Sequence, residues 1–168
     1  RIGGVAFTGS TDTARAIAQS LAGRDAPLAT LIAETGGQNA MIVDSSALAE
    51  QVVGDAILSA FNSAGQRCSA LRVMFVQDDI ADRVLRLLAG AMDELAIGDP
   101  GLIATDVGPV IDDPAREALD RHWASIRRTG TVIRDCRLPA GTERGTFFAP
   151  RAVEIDSIER LSGEVFGP

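Results

Sequence analysis

The stretch GVAFTGSTDTARAIAQSL, residues 4–21, joins an apolar run to a segment with apolar residues at helical spacing. The run from Gly4 to Phe7 favours a β-strand, and the spacing from Asp12 to Leu21 predicts a helix with one buried face. Thr8 to Thr11 supplies the turn between them. A strand, a tight turn and a helix are the repeating unit of an α/β fold.

The same alternation continues along the rest of the chain. Asp44 to Ser46 are predicted to cap the helix that follows them, which would bury Leu48, Val52, Ile57 and Phe61. Strands alternating with helices of ten or more residues indicate an α/β domain around a largely parallel sheet. The further predicted strands are Ala29–Ala33, Ala40–Val43, Leu71–Val76 and Gly130–Arg134, the helices are Ala47–Phe61, Ile80–Leu95 and Pro114–Arg128, and Thr146–Ile155 is predicted to be extended.

Composition narrows the classes of protein to which the chain can belong. Its 168 residues are 46% hydrophobic, which is enough for a core, and its net charge of −7 disfavours nucleic acid as a partner of this segment. No apolar run approaches the roughly 20 residues of a membrane span, and no signal peptide is recognisable. Two cysteines are too few for a disulfide framework, so we expect reduced thiols and a cytoplasmic protein.

Both ends of the sequence resemble interrupted elements. RIGGVAFTG begins within a predicted strand, and EVFGP closes on a turn. We therefore expect the chain to be a piece of a longer protein.

Two loops at predicted strand ends carry candidate polar groups. Gly9, Ser10 and Thr11 lie between a strand and a helix N-terminus, where free N–H groups suit a pyrophosphate, but taken alone they are more typical of an ordinary turn. Glu34 follows an apolar run and precedes Gly36 and Gly37. A carboxylate there could act as a general base near neutral pH, or it could cap a helix or face water.

Cys68 lies in the loop GQRCSALR, between a predicted helix and a predicted strand. Its thiol is either a nucleophile, active as the thiolate, or a small buried core residue. Cys136, near a strand end without a glycine-lined loop, is interpreted as structural. His122, the only histidine, lies within a helix and is not expected to assist Cys68. The spacing of these residues predicts no metal site.

Taken together and in order, FTGST, ETGGQNAMIVD, GQRCSALR, GTFFAP and EVFGP resemble the aldehyde dehydrogenase superfamily. QNAMIVD and RCS are most similar to the 1-pyrroline-5-carboxylate (L-glutamate γ-semialdehyde) dehydrogenases of bacterial bifunctional proline-catabolic enzymes. The resemblance implies a parallel-sheet catalytic domain over residues 34–168. Residues 1–33 would be the last part of a Rossmann-like NAD-binding domain.

The resemblance also implies roles for individual residues. Cys68 would be the catalytic nucleophile, Glu34 the general base, and Ser69 a contact of the substrate carboxylate. The remaining implied residues would bind NAD, with Gly9 and Ser10 at the pyrophosphate, Gly36 and Gly37 beside the nicotinamide, Glu164 on its ribose and Phe166 against it.

The expected function is NAD-dependent oxidation of an aldehyde to an acid through a cysteine thioester. The longer protein of which this chain is expected to be a piece should be a homo-oligomer. It should use FAD only if it carries a proline dehydrogenase domain, and it should bind DNA only through other regions. The isolated chain is expected to be inactive. Three alternatives stay open: a dehydrogenase of another aldehyde, a thiol acyl-transferase that needs no nucleotide, and a structural segment with an unreactive Cys68.

Overall fold

The computed structural model describes residues 2–168, which divide into two compact units. The division falls between Gly37 and Gln38. The predicted domain boundary lies slightly earlier, between residues 33 and 34, and the nucleotide-binding and catalytic roles of the two parts stay predictions.

The first unit is a β-α-β unit with parallel strands. It contains β1 (Gly4–Thr8), α1 (Thr11–Ala22) and β2 (Thr30–Glu34), and the two strands pair in parallel. The Ser10 side chain caps α1 by accepting a hydrogen bond from the Thr13 N–H at 3.2 Å. The predicted strand, turn and helix are therefore confirmed.

The second unit contains two pairs of strands and three α-helices among the described residues. β3 and β4 pair in parallel, whereas β5 and β6 are antiparallel with a register shift between Val132 and Arg134. The mixed α/β class is confirmed, with parallel pairs in both units. The elements are β3 (Ala40–Val43), α2 (Ala49–Phe61), a 3-10 turn (Asn62–Gly65), β4 (Val73–Val76), α3 (Asp78–Asp93), α4 (Asp113–Ile126), β5 (Thr131–Asp135), β6 (Arg151–Glu154) and a second 3-10 turn (Ile158–Arg160).

Buried residues of α2, α3 and α4 contribute to one hydrophobic core in the second unit. Val84 and Val107 are completely buried, and burying such a side chain contributes about 1.5–3 kcal/mol. The other members of this core are Ala49, Val53, Ala56, Phe61, Ala64, Leu88, Met92, Val110, Leu119, Trp123, Ile126 and Phe148.

The start of α2 differs from the prediction. The cap position is Leu48, without a side-chain hydrogen bond, and Leu48 is 62% exposed rather than buried. Asp44 instead accepts hydrogen bonds from the N–H and the hydroxyl of Ser46, at 2.8 and 2.6 Å. Asp and Ser side chains form hydrogen bonds with nearby backbone groups, which competes with helix formation. Here they form a turn ahead of the helix.

Candidate active site

The loop that carries Cys68 begins with three residues in the left-handed region. Ser63, Ala64 and Gly65 have φ values of 56°, 50° and 65° directly after α2. A Cβ atom on Gly65 would lie 2.4 Å from the carbonyl oxygen of Gly167 and 2.8 Å from that of Ala60. Only glycine fits there, and such strained backbone clusters at functional sites.

Two polar side chains hold the backbone of this loop. The Asn39 amide donates to the carbonyl oxygens of Cys68 and Ala70, at 2.7 and 2.9 Å. The Arg67 guanidinium donates to the carbonyls of Leu58 and Ser59 in the last turns of α2, at 3.1 and 3.2 Å. Arg67 therefore anchors the loop to a helix C-terminus, where a cation is favourable.

The two cysteines have different environments. Cys68 is exposed, as is Ser69 beside it, so Cys68 is not the buried core residue that one alternative described. Cys136 is half-buried and its thiol donates to the Met92 carbonyl at 3.4 Å. Burial raises the pKa of the Cys136 thiol, which keeps that thiol protonated and unreactive.

Arg72 joins the Cys68 loop to the segment that contains Glu164 and Phe166. Its side chain is 6% exposed and forms an ion pair with Glu164 at 3.3 Å. It also donates to the carbonyls of Arg67 and Gly167, both at 3.2 Å, and its guanidinium carbon lies 5.4 Å from the Phe166 ring centroid. Burial lowers the pKa of Arg72, and the hydrogen bond that Arg72 donates to the Glu164 carboxylate opposes that shift, so the side chain stays charged.

Sequence analysis did not identify Arg72 and Asn39 as site residues. A signal for Arg72 was present, because a charged side chain within the apolar run from Leu71 to Val76 needs a partner if that run is buried. Asn39 gave no comparable signal, since its role is to bind two carbonyls about thirty positions later in the chain.

The first unit contains the other predicted residues. Glu34 ends β2, is exposed, and its carbonyl accepts from the Gly9 N–H at 3.1 Å. Because β1 and β2 are parallel, Gly9, Ser10 and Glu34 lie at the carboxyl edge of the pair, where α/β proteins place their sites. Gly36 and Gly37 follow in the adjoining loop.

Other features of the second unit do not form part of the candidate site. A cavity of about 480 Å³ is lined mainly by apolar residues of β4, α4 and β6. Arg72 also lines it, but none of Cys68, Ser69, Glu164 or Phe166 does. Within residues 2–168 no group of three or more His, Cys, Asp or Glu side chains could hold a metal ion. No described helix is long and apolar enough to span a membrane.

Comparison with known proteins gives consistent matches over the whole chain. The model of the aldehyde dehydrogenase family matches residues 1–168. Bifunctional protein PutA of Klebsiella aerogenes is 51% identical over 176 residues, covering 100% of this chain and 13% of PutA.

Two solved structures extend this similarity to the fold. A crystal structure of bifunctional proline utilization A (PutA) superposes with a TM-score of 0.95 at 52% identity, covering 99% of this chain and 17% of that one. The 1-pyrroline-5-carboxylate dehydrogenase from Thermus with bound NAD superposes with a TM-score of 0.87 at 26% identity, covering 99% and 33%. This chain therefore spans only a small part of the length of each relative.

Proposed function

Because the chain belongs to the aldehyde dehydrogenase family, we propose that it supplies the nucleophile of an NAD-dependent enzyme that oxidises L-glutamate γ-semialdehyde to L-glutamate. The observation that carries this proposal is an exposed Cys68 in a loop whose backbone is held by the side chains of Asn39 and Arg72. The similarity to PutA and to 1-pyrroline-5-carboxylate dehydrogenases supports the choice of substrate.

The active protein is proposed to be longer than this chain, since the chain spans 13% of its PutA relative. We refer to that longer protein as the parent protein. It is proposed to be a cytoplasmic homo-oligomer, with FAD only if it carries a proline dehydrogenase domain and with any DNA-binding function outside this segment.

Described residues within each unit, taken separately, support the choice of NAD as the cofactor. Glu164 uses one carboxylate oxygen for Arg72, so its second oxygen remains able to accept a hydrogen bond from a ribose hydroxyl. The Phe166 ring is 44% exposed and offers an apolar face to a nicotinamide. In the first unit, Gly9 and Ser10 directly precede the N-terminus of α1, and the free N–H groups of a helix N-terminus favour an anion such as a pyrophosphate.

In the proposed mechanism the Cys68 thiolate attacks the aldehyde carbon, and the carbonyl oxygen becomes an oxyanion. The Cys68 backbone N–H is the proposed donor to that oxyanion. A bound NAD, held against Glu164 and Phe166, would supply the hydride acceptor, so that the thiohemiacetal on Cys68 would lose a hydride and become a thioester. Glu34 then takes a proton from water, the hydroxide attacks the thioester carbon, and the acid and the Cys68 thiolate are released.

The proposal is tested by following NADH absorbance of the parent protein with 1-pyrroline-5-carboxylate. Cys68→Ala should lower the rate by more than about 10³-fold, as for other removed nucleophiles. Cys136→Ala is the matched control and should retain the rate, because that thiol is half-buried and bonded to a backbone carbonyl. Full activity of Cys68→Ala would refute the proposal.

Ser69 distinguishes the proposed substrate from other aldehydes. If its exposed hydroxyl binds the substrate carboxylate, Ser69→Ala should raise KM for the semialdehyde by roughly 10-fold and leave KM for simple aldehydes unchanged. If the parent protein oxidised only simple aldehydes, it would still act as an aldehyde dehydrogenase, but L-glutamate γ-semialdehyde would be rejected as its substrate. Turnover without nucleotide would favour the thiol acyl-transferase alternative.

A further inference from the structure

We propose that Arg72 is a positioning residue. Its single guanidinium group holds both the oxyanion donor and the nicotinamide-binding segment in position. The proposal rests on the proposed function, because it assigns the task of Arg72 in that reaction. It is carried by the four groups that surround this buried side chain.

The first contact fixes the peptide unit that carries the proposed oxyanion donor. Arg72 Nη2 donates to the Arg67 carbonyl at 3.2 Å, and the Ala70 N–H donates to the same oxygen at 3.1 Å. That carbonyl belongs to the same planar peptide as the Cys68 N–H, so fixing the oxygen fixes the direction of the N–H. A hydrogen bond to the carbonyl also polarises the peptide and strengthens the N–H as a donor.

The second set of contacts holds the segment from Glu164 to Gly167. Arg72 pairs with the Glu164 carboxylate at 3.3 Å, donates to the Gly167 carbonyl at 3.2 Å and lies against the Phe166 ring. The backbones of the two segments meet closely, since a Cβ on Gly65 would lie 2.4 Å from the Gly167 oxygen. Arg72 therefore links the Cys68 loop to the segment from Glu164 to Gly167, and the two backbones are too close to shift past each other.

Burial makes this arrangement specific for arginine. The Arg72 side chain is 6% exposed and that of Glu164 is 19% exposed, so solvent weakens their ion pair little. The planar guanidinium reaches three oxygens in different directions through its two terminal nitrogens, whereas a lysine ammonium is a point charge on a flexible stem. Among residues 2–168, no partner is found for the remaining Nε–H.

The test uses the parent protein with Arg72→Lys, which keeps the positive charge but removes the planar guanidinium group with its two terminal nitrogens. We expect kcat to fall about 10- to 100-fold, because a misdirected oxyanion donor loses part of the 10²–10³-fold that such a donor contributes. The dissociation constant for NAD, measured by titration without substrate, should rise several-fold. Arg83→Met is the matched control, because Arg83 forms an exposed pair with Glu50, and it should change neither value.

Amide hydrogen exchange supplies a readout that does not depend on activity. In both Arg72→Lys and the nearly isosteric Glu164→Gln, the peptide that contains residues 66–70 should exchange faster than in the wild type. Faster exchange would support the coupling of Arg72 to the Cys68 loop even if the wild-type parent failed to oxidise the semialdehyde. That failure would count against the proposed function alone. A folded Arg72→Lys protein with unchanged kcat, NAD affinity and exchange would overturn the proposal.

Discussion

At the scale of single residues, the two cysteines of this chain differ in how far their side chains are exposed. Cys68 is exposed in a strained loop, whereas Cys136 is half-buried against the Met92 carbonyl. The sequence alone favoured Cys68 because of its loop and its resemblance to a known motif. Exposure could not be predicted in this way, because the loop conformation involves contacts of Gly65 and Asn39 with residues distant in sequence.

Alkylation measures this difference directly. Iodoacetamide should modify Cys68 of the parent protein at least about 10-fold faster than Cys136, because burial raises the pKa of the Cys136 thiol and restricts access to it. Mass spectrometry of the two peptides gives both rates within one sample, so each cysteine is the control for the other. Equal rates, or faster modification of Cys136, would contradict the assignment.

At the scale of elements, sequence patterns predicted the described α-helices and β1 to β5, with most ends displaced by a few residues, and β6 lies within the stretch predicted to be extended. The two 3-10 turns were not predicted. The errors arose where polar groups form hydrogen bonds within a turn or with a distant part of the chain. Asp44 binds Ser46 instead of capping α2. β4 begins at Val73 rather than Leu71, because the N–H groups of Arg72 and Val73 both donate to the Asn39 carbonyl as the chain enters the strand.

The turn that ends α2 provides a prediction about stability. Gly65→Ala should destabilise the parent protein by at least about 2 kcal/mol, because alanine disfavours a φ of 65° and its Cβ would meet two backbone oxygens. Gly54→Ala, within α2 and with no atom within 4 Å of a new Cβ, should instead stabilise it by about 0.5–1 kcal/mol. Thermal unfolding of the two variants checks this, and a stabilising Gly65→Ala would disprove the geometry of the turn.

At the scale of the whole molecule, the chain consists of two units, and the residues that organise the candidate site lie far apart in sequence. Arg72 and Glu164 are separated by 92 positions, and Asn39 and Cys68 by 29. Local patterns do not identify the partners in such pairs, which explains why sequence analysis named candidate reactive residues but not the residues that hold the Cys68 loop in position.

The pH dependence of stability tests the packing of the second unit. Burial lowers the pKa of His122 below its usual value of 6.5. The unfolded chain therefore takes up a proton first as the pH falls, and the stability contributed by neutral His122 is lost below about pH 6.5. We expect the melting temperature of the wild-type parent to fall more than that of His122→Gln between about pH 7.5 and 5.5. Identical falls would show that His122 titrates as if exposed.

The central claim is that Cys68 forms a covalent bond to the substrate during the oxidation. The most direct measurement uses the parent protein with Glu34→Gln, in which release of the thioester should be slow. After mixing with NAD and 1-pyrroline-5-carboxylate and quenching in acid, peptide mass spectrometry should find the acyl group on the peptide that contains Cys68. Formation of NADH with an unmodified Cys68, or an acyl group on Cys136, would contradict the claim.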